Sequence, residues 1–141
     1  MHIDLSAVNW AAVAVAAVAA FLLGGTWYSA IFGKLWIRLS GYTPEKVAEM
    51  KAKMSPGKFL GGMLLSYGFV AVAVSFLVVA LNLRGTAAGA CLGSILWMGP
   101  AGAITFTGHL ASDRHRGLFF IDAAFQFVAL VTQGIILAAW R

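Results

Sequence analysis

The chain has 141 residues, 61% of them apolar, with a mean hydropathy of +0.87 and a formal net charge of +5. Such a composition excludes an ordinary soluble domain, and one cysteine, Cys91, excludes a disulfide framework or a cysteine metal cluster. The basic balance does not point to nucleic acid, because the cations are gathered in the gaps between long uncharged stretches.

Four stretches, Leu5–Gly33, Phe59–Leu83, Gly85–Ser112 and Gly117–Trp140, contain no Lys, Arg or Glu. A hydrocarbon core of about 30 Å needs about 20 apolar residues as helix, and each stretch exceeds that. The expected fold class is therefore all-α: a single domain over 1–141, an integral membrane bundle of four transmembrane helices. The predicted spans cover residues 8–32, 58–81, 86–110 and 117–140. The start, Met1-His2-Ile3-Asp4, has no positive n-region and its apolar run is too long for a secretory signal, so the first helix is read as retained.

In the first span Ala12, Ala16, Ala20 and Gly24 recur every four residues and make a smooth face for close helix contact. Asn9-Trp10 are assigned to one membrane interface, and Trp27-Tyr28 with Trp36 to the other. The segment 33–58 carries six cations, Lys34, Arg38, Lys46, Lys51, Lys53 and Lys58. Within it a short amphipathic helix is predicted over 44–54, with Thr43 as N-cap and Pro44 as its first residue. Val47, Met50 and Met54 line one face, and Glu49 and Lys53 are spaced as an i,i+4 pair. A helix of this kind lies on a membrane surface and meets anionic lipid headgroups.

The turn Asn82–Gly85 is so short that the second and third spans are expected to be antiparallel neighbours. Gly85, Gly89 and Gly93 open the third span as a doubled G-x-x-x-G, a packing pattern. Gly99-Pro100 predicts a kink, since Pro100 cannot donate to the carbonyl four residues earlier. Trp97, near mid-span, is read as filler in preference to the wall of a small cavity.

Asp122 is the one acid within a span, and Gln126 and Gln133 share its helix face. Thr26, Tyr28, Ser66, Tyr67, Thr105, Thr107 and His109 stand at a similar depth. Three roles are open for Asp122: stitching the helices by hydrogen bonds, relaying a proton or binding a ligand, or pairing with Arg114 or Arg116. The candidate polar or ion site is thus Asp122, Gln126, His109, Tyr67 and Tyr28, with no catalytic residue, cofactor or metal. His109, Asp113 and His115 do not make a metal-ligand set.

Eight cations lie in the two loops on one side, the six above with Arg114 and Arg116, against Arg84 and Arg141 on the other. The positive-inside rule then places both loops, and the surface helix, in the cytoplasm and both termini outside. Gly25-Thr26-Trp27-Tyr28-Ser29, Phe32-Gly33-Lys34, Leu96-Trp97-Met98-Gly99, Leu118-Phe119-Phe120-Ile121 and Gly134-Ile135-Ile136-Leu137-Ala138-Ala139-Trp140 resemble a bacterial four-helix family catalogued as domain of unknown function seventeen-sixty-one. That resemblance implies four helices in a bacterial inner membrane and no reaction. It departs at Asp122, where the family is expected to carry Asn.

Two function classes remain. One is a non-enzymatic scaffold, or an accessory subunit of a larger complex, assembling through the small-residue faces of helices one and three, most simply as a homodimer. The other is a small oligomeric transporter or channel with Asp122 as its proton or cation site. They are told apart by whether Asp122 faces a cavity or a sealed seam.

Overall fold

The structure, a computed structural model, describes residues 5–141; Met1–Asp4, and with them His2, lie outside the described residues. Asn9 begins the first helix: its side-chain oxygen accepts from the Ala12 N–H at 3.0 Å, which satisfies one of the free donors of the first turn. From there α1 (Trp10–Thr26) continues through a π-helical turn, Trp27–Ile31. Two short helices follow, α2 (Gly33–Leu39) and α3 (Pro44–Lys53). Then come α4 (Pro56–Ala80), α5 (Thr86–Leu96), a second π-helical turn (Trp97–Ala101), α6 (Gly102–Leu110) and α7 (Arg116–Ala139). Among the described residues there is no strand. Four helical stretches are long and apolar enough to cross a membrane: Trp10–Ile31, Pro56–Ala80, Thr86–Leu110 and Arg116–Ala139.

The predicted kink at Pro100 takes a different form. The chain widens into the π-helical turn, in which the Gly102 N–H reaches back to the Trp97 carbonyl. The wider turn accommodates a residue that has no N–H to give. The segment α2 was not anticipated; seven residues are too few for a periodicity to declare itself.

The central element is α7. It packs on α1, α4 and α5, and the main core is built from Ala12, Ala16 and Ala17 of α1, Ala71, Val74 and Val78 of α4, Leu92 of α5, and Leu137 and Ala138 of α7. Here the expectation that the second and third spans pack side by side is corrected. They are antiparallel and joined by a tight turn, but α4 lies on α1 and α7 whereas α5 lies on α7. The reason is steric. A Cβ built on Gly89 would stand 2.1 Å from the Gly134 carbonyl oxygen, and one on Gly93 would stand 2.5 Å from that of Leu130. At these positions the backbones of α5 and α7 meet, and α5 packs along α7.

The face assigned to self-association is therefore used inside the chain. Ala12, Ala16 and Ala20 are fully buried, as is Gly24, and Gly89 and Gly93 are covered by α7. Gly85 stands apart from that stripe. At a φ of 85° it forms the turn, no atom lies within 4 Å of a Cβ built there, and its N–H donates to the Ala138 carbonyl. The same end is tied by Asn9 Nδ2 donating to the Trp140 carbonyl at 2.8 Å and Arg141 Nη1 donating to that of Val78 at 3.1 Å. The other end carries the two basic loops, and there α4 has no buried residue before Ala71.

Substituting Gly89→Ala or Gly134→Ala is expected to cost at least about 2 kcal/mol, as overpacking against rigid backbone does. Gly61→Ala, with open space around it, is expected to change stability by less than about 0.5 kcal/mol. Denaturation of the purified variants by sodium dodecyl sulfate titration checks both.

Candidate functional site: a polar cluster on the wall of a cavity

Because α4 diverges from α6 at the basic end, a cavity of about 1290 Å³ opens between α1, α4, α6 and α7, with α3 across part of it through Val47, Met50 and Met54. Its lining is mainly apolar, and Asp122 stands on its wall. Tyr28 Oη donates to Asp122 Oδ1 at 2.7 Å, and Arg114 Nη2 lies 4.0 Å from Asp122 Oδ2. The carboxylate is 24% exposed and the guanidinium 49%, so the pair is partly solvated and loosely held.

The backbone on either side of Asp122 is fixed by two indoles. Trp27 Nε1 donates to the Ile121 carbonyl at 3.2 Å, and Trp97 Nε1 donates to the Ala123 carbonyl at 2.8 Å. Each tryptophan opens one of the two π-helical turns. Trp27, assigned to a membrane interface, packs its ring against Phe32 and Phe125 and spends its N–H on α7. Trp97 packs edge-on against Phe127 and lies outside the cavity lining. Phe125, on the turn after Asp122, meets the edges of Tyr28 at 5.2 Å and Tyr67 at 6.1 Å. Its ring is also the near neighbour of Gly24, where a Cβ would meet it at 3.2 Å and the Tyr67 hydroxyl at 3.0 Å.

Gln126, one turn along α7, accepts from Thr105 Oγ1 at 2.8 Å and joins α6 to α7. Gln133 is 1% exposed, and its amide donates to the Tyr67 carbonyl at 3.1 Å and the Ala16 carbonyl at 3.4 Å. One side chain therefore bonds α7 to α4 and to α1, which is how an apolar bundle gains orientation from a polar residue.

The structure brings Asp122, Tyr28, Tyr67 and Gln126 to one cavity wall, with Phe125 among them. His109 lines the same cavity, but its ring stacks on Phe119 at 5.3 Å, and no hydrogen bond joins it to Asp122. Thr26 and Thr107 are exposed and bond to carbonyls of their own helices, so they do not belong to the cluster. The two indole donors were missed by sequence reasoning. The available signal was Trp97 itself, a residue with one N–H standing far from either interface. Among the described residues no three His, Cys, Asp or Glu side chains converge as metal ligands.

Across the cavity mouth, α3 is stabilised from within: the Thr43 hydroxyl accepts from the Lys46 N–H, and Glu49 pairs with Lys53 and Lys46. Lys53 and then Lys46 hold the Glu49 carboxyl below its usual range, and the Glu45 carboxyl is lowered by its own backbone N–H and by Thr43.

A bundle of four helices long and apolar enough to cross a membrane, with a carboxylate and amides on the wall of an open cavity, defines a class of small helical bundle proteins. A family profile matches residues 11–138, and the chain belongs to the family described as "Protein of unknown function (DUF1761)". No curated protein and no solved structure matches the chain.

Two outcomes test the site. Trp27→Phe and Trp97→Phe keep the ring and remove the donor; each is expected to lower stability by about 0.6–1.7 kcal/mol, read by the same detergent titration. Because both glutamates are held low, the support they give α3 is present above the ordinary carboxylate range and is lost as pH falls through their lowered values. Amide exchange in residues 44–53, corrected for the intrinsic pH dependence, should lose protection only in acid.

Proposed function

We propose that the chain is an integral membrane protein that binds an amphipathic small molecule in the cavity between α4 and α6, without catalysing a reaction. The observation that carries this reading is the position of Asp122 on the wall of a cavity of about 1290 Å³ instead of in a sealed seam. A cavity of that size lined largely by apolar and aromatic side chains, with a few polar groups, has the make-up of a small-molecule site. Its polar groups are bonded to one another, Tyr28 to Asp122 and Thr105 to Gln126, an arrangement that orients a ligand and does not pair a nucleophile with a base.

The proposed setting is a bacterial inner membrane. Eight cations stand at one end and Arg84 and Arg141 at the other, which supports cytoplasmic basic loops with both termini outside. A scaffold assembling through the small-residue faces has less support, since Ala12, Ala16, Ala20, Gly89 and Gly93 already pack within one chain. Asp122 as a free cation site is also less favoured, because Arg114 shares its charge.

The test is thiol labelling in sealed vesicles, on a Cys91→Ala background, with a membrane-impermeant charged reagent. Lys51→Cys and Gln126→Cys are expected to react from the cytoplasmic side, Arg84→Cys from the opposite side, and Ala16→Cys from neither. Gln126→Cys inert from both sides would make the site a sealed seam and overturn the reading.

A further inference from the structure

Beside the large cavity lies a smaller one of about 460 Å³, lined by Trp36, Leu39, Ser40, Tyr42, Asp113, Arg114, His115 and Leu118. Trp36, Tyr42 and Arg114 line both, so the apolar cavity and the smaller one share a wall. The smaller cavity is rich in donors. Trp36 Nε1 and Ser40 Oγ are buried and have no hydrogen-bond partner among the described residues. They sit one helical turn apart, on α2 and at its C-terminal end. Buried donors without an acceptor are rare and costly in folded proteins, and two lining one cavity are a reason to look for an acceptor from outside the chain.

Two further donors complete the set. Arg114 is half exposed, and its contact with Asp122 is long at 4.0 Å, which leaves most of its five N–H groups free. His115 Nδ1 accepts from the Gly117 N–H at 3.0 Å. In the neutral ring that fixes the proton on Nε2, making it a donor. The acid present, Asp113, offsets part of this positive field, which favours an anion of one charge over an anion of two.

We propose that this smaller cavity is the headgroup site for a phosphodiester amphiphile, a glycerophospholipid, whose apolar part occupies the large cavity. This rests on the binding function proposed above and names its ligand class. Arg114 takes the phosphate oxygens in a bidentate pair, Trp36 Nε1 and Ser40 Oγ donate to them, and the lateral gap between α4 and α6 admits the acyl chains. The depth agrees: α2 and the start of α7 lie at the basic end, where the proposed topology sets the cytoplasmic headgroup layer.

The test is retention of lipid by the purified protein in detergent, read by native mass spectrometry, with three probes: dioleoyl phosphatidylglycerol, dioleoyl glycerol (the same tails without phosphate) and inorganic phosphate as competitor. The expected result is retention of the phospholipid at least fivefold over dioleoyl glycerol, undiminished by inorganic phosphate. Arg114→Gln and the double variant Trp36→Phe/Ser40→Ala should each lower phospholipid retention at least fivefold without changing the little dioleoyl glycerol held. Arg114→Lys should recover part of it, and an unchanged melting temperature shows that the variants fold. Equal retention of both lipids overturns the headgroup site but leaves the cavity as a binding site. Displacement by inorganic phosphate overturns the amphiphile in favour of a free-anion site. Retention of neither lipid overturns the proposal, and Gln126→Cys labelling then tells whether the cavity reading falls with it.

Discussion

Between Gly89 and Gly134 the backbones of two helices touch, and that contact decides where the rest of the chain goes. With α5 packed along α7, the second and third spans separate below their shared turn. The gap they leave is the cavity, and the residues on its walls become the candidate site. A methyl group at either glycine would replace backbone contact by collision. In a chain this apolar, where lipid would solvate leucine as well as protein does, close contact of this sort is the main attraction available to hold helices in place.

The few polar side chains within the bundle do a second job, which is to set orientation. Gln133 bonds α7 to two other helices, Thr105 and Gln126 bond α6 to α7, and the paired indoles of Trp27 and Trp97 grip the carbonyls on either side of Asp122. The carboxylate is consequently fixed in rotation about the helix axis as well as in depth. Tyr28 and Arg114 then meet it from α1's π-helical extension and from the α6–α7 loop. Such a site is built on helices and held by neighbours, which gives it a definite geometry before any ligand arrives.

Much of the architecture was legible from charge and hydropathy, because four runs of crossing length without Lys, Arg or Glu leave few alternatives and Thr43-Pro44 marks a helix start by direct chemistry. Small residues at four-residue spacing told correctly that α1 and α5 meet something closely, but spacing does not name the partner: within the chain α5 meets α7, and α1 meets both α4 and α7. Chain proximity misled in the same way at Asn82–Gly85: a short turn fixes direction, not contact along the whole length. At the site, Asp122, Tyr28, Tyr67 and Gln126 were found by depth and helix face. His109 was included on depth alone, which carries no information about the side it faces. The indole donors were passed over because Trp27 was read as an interfacial anchor and Trp97 as filler. The smaller cavity depends on α2, whose seven residues left no pattern to find.

The ties among Asn9, Trp140, Gly85, Ala138 and Arg141 have a mechanical consequence. They bind the four long helices at the end remote from the basic loops, and Gln133 holds α4 again at the Tyr67 carbonyl. The stretch of α4 ahead of Tyr67 is about 16 Å long at 1.5 Å per residue, a free arm at the mouth of a bundle clasped like a clothes-peg at its other end.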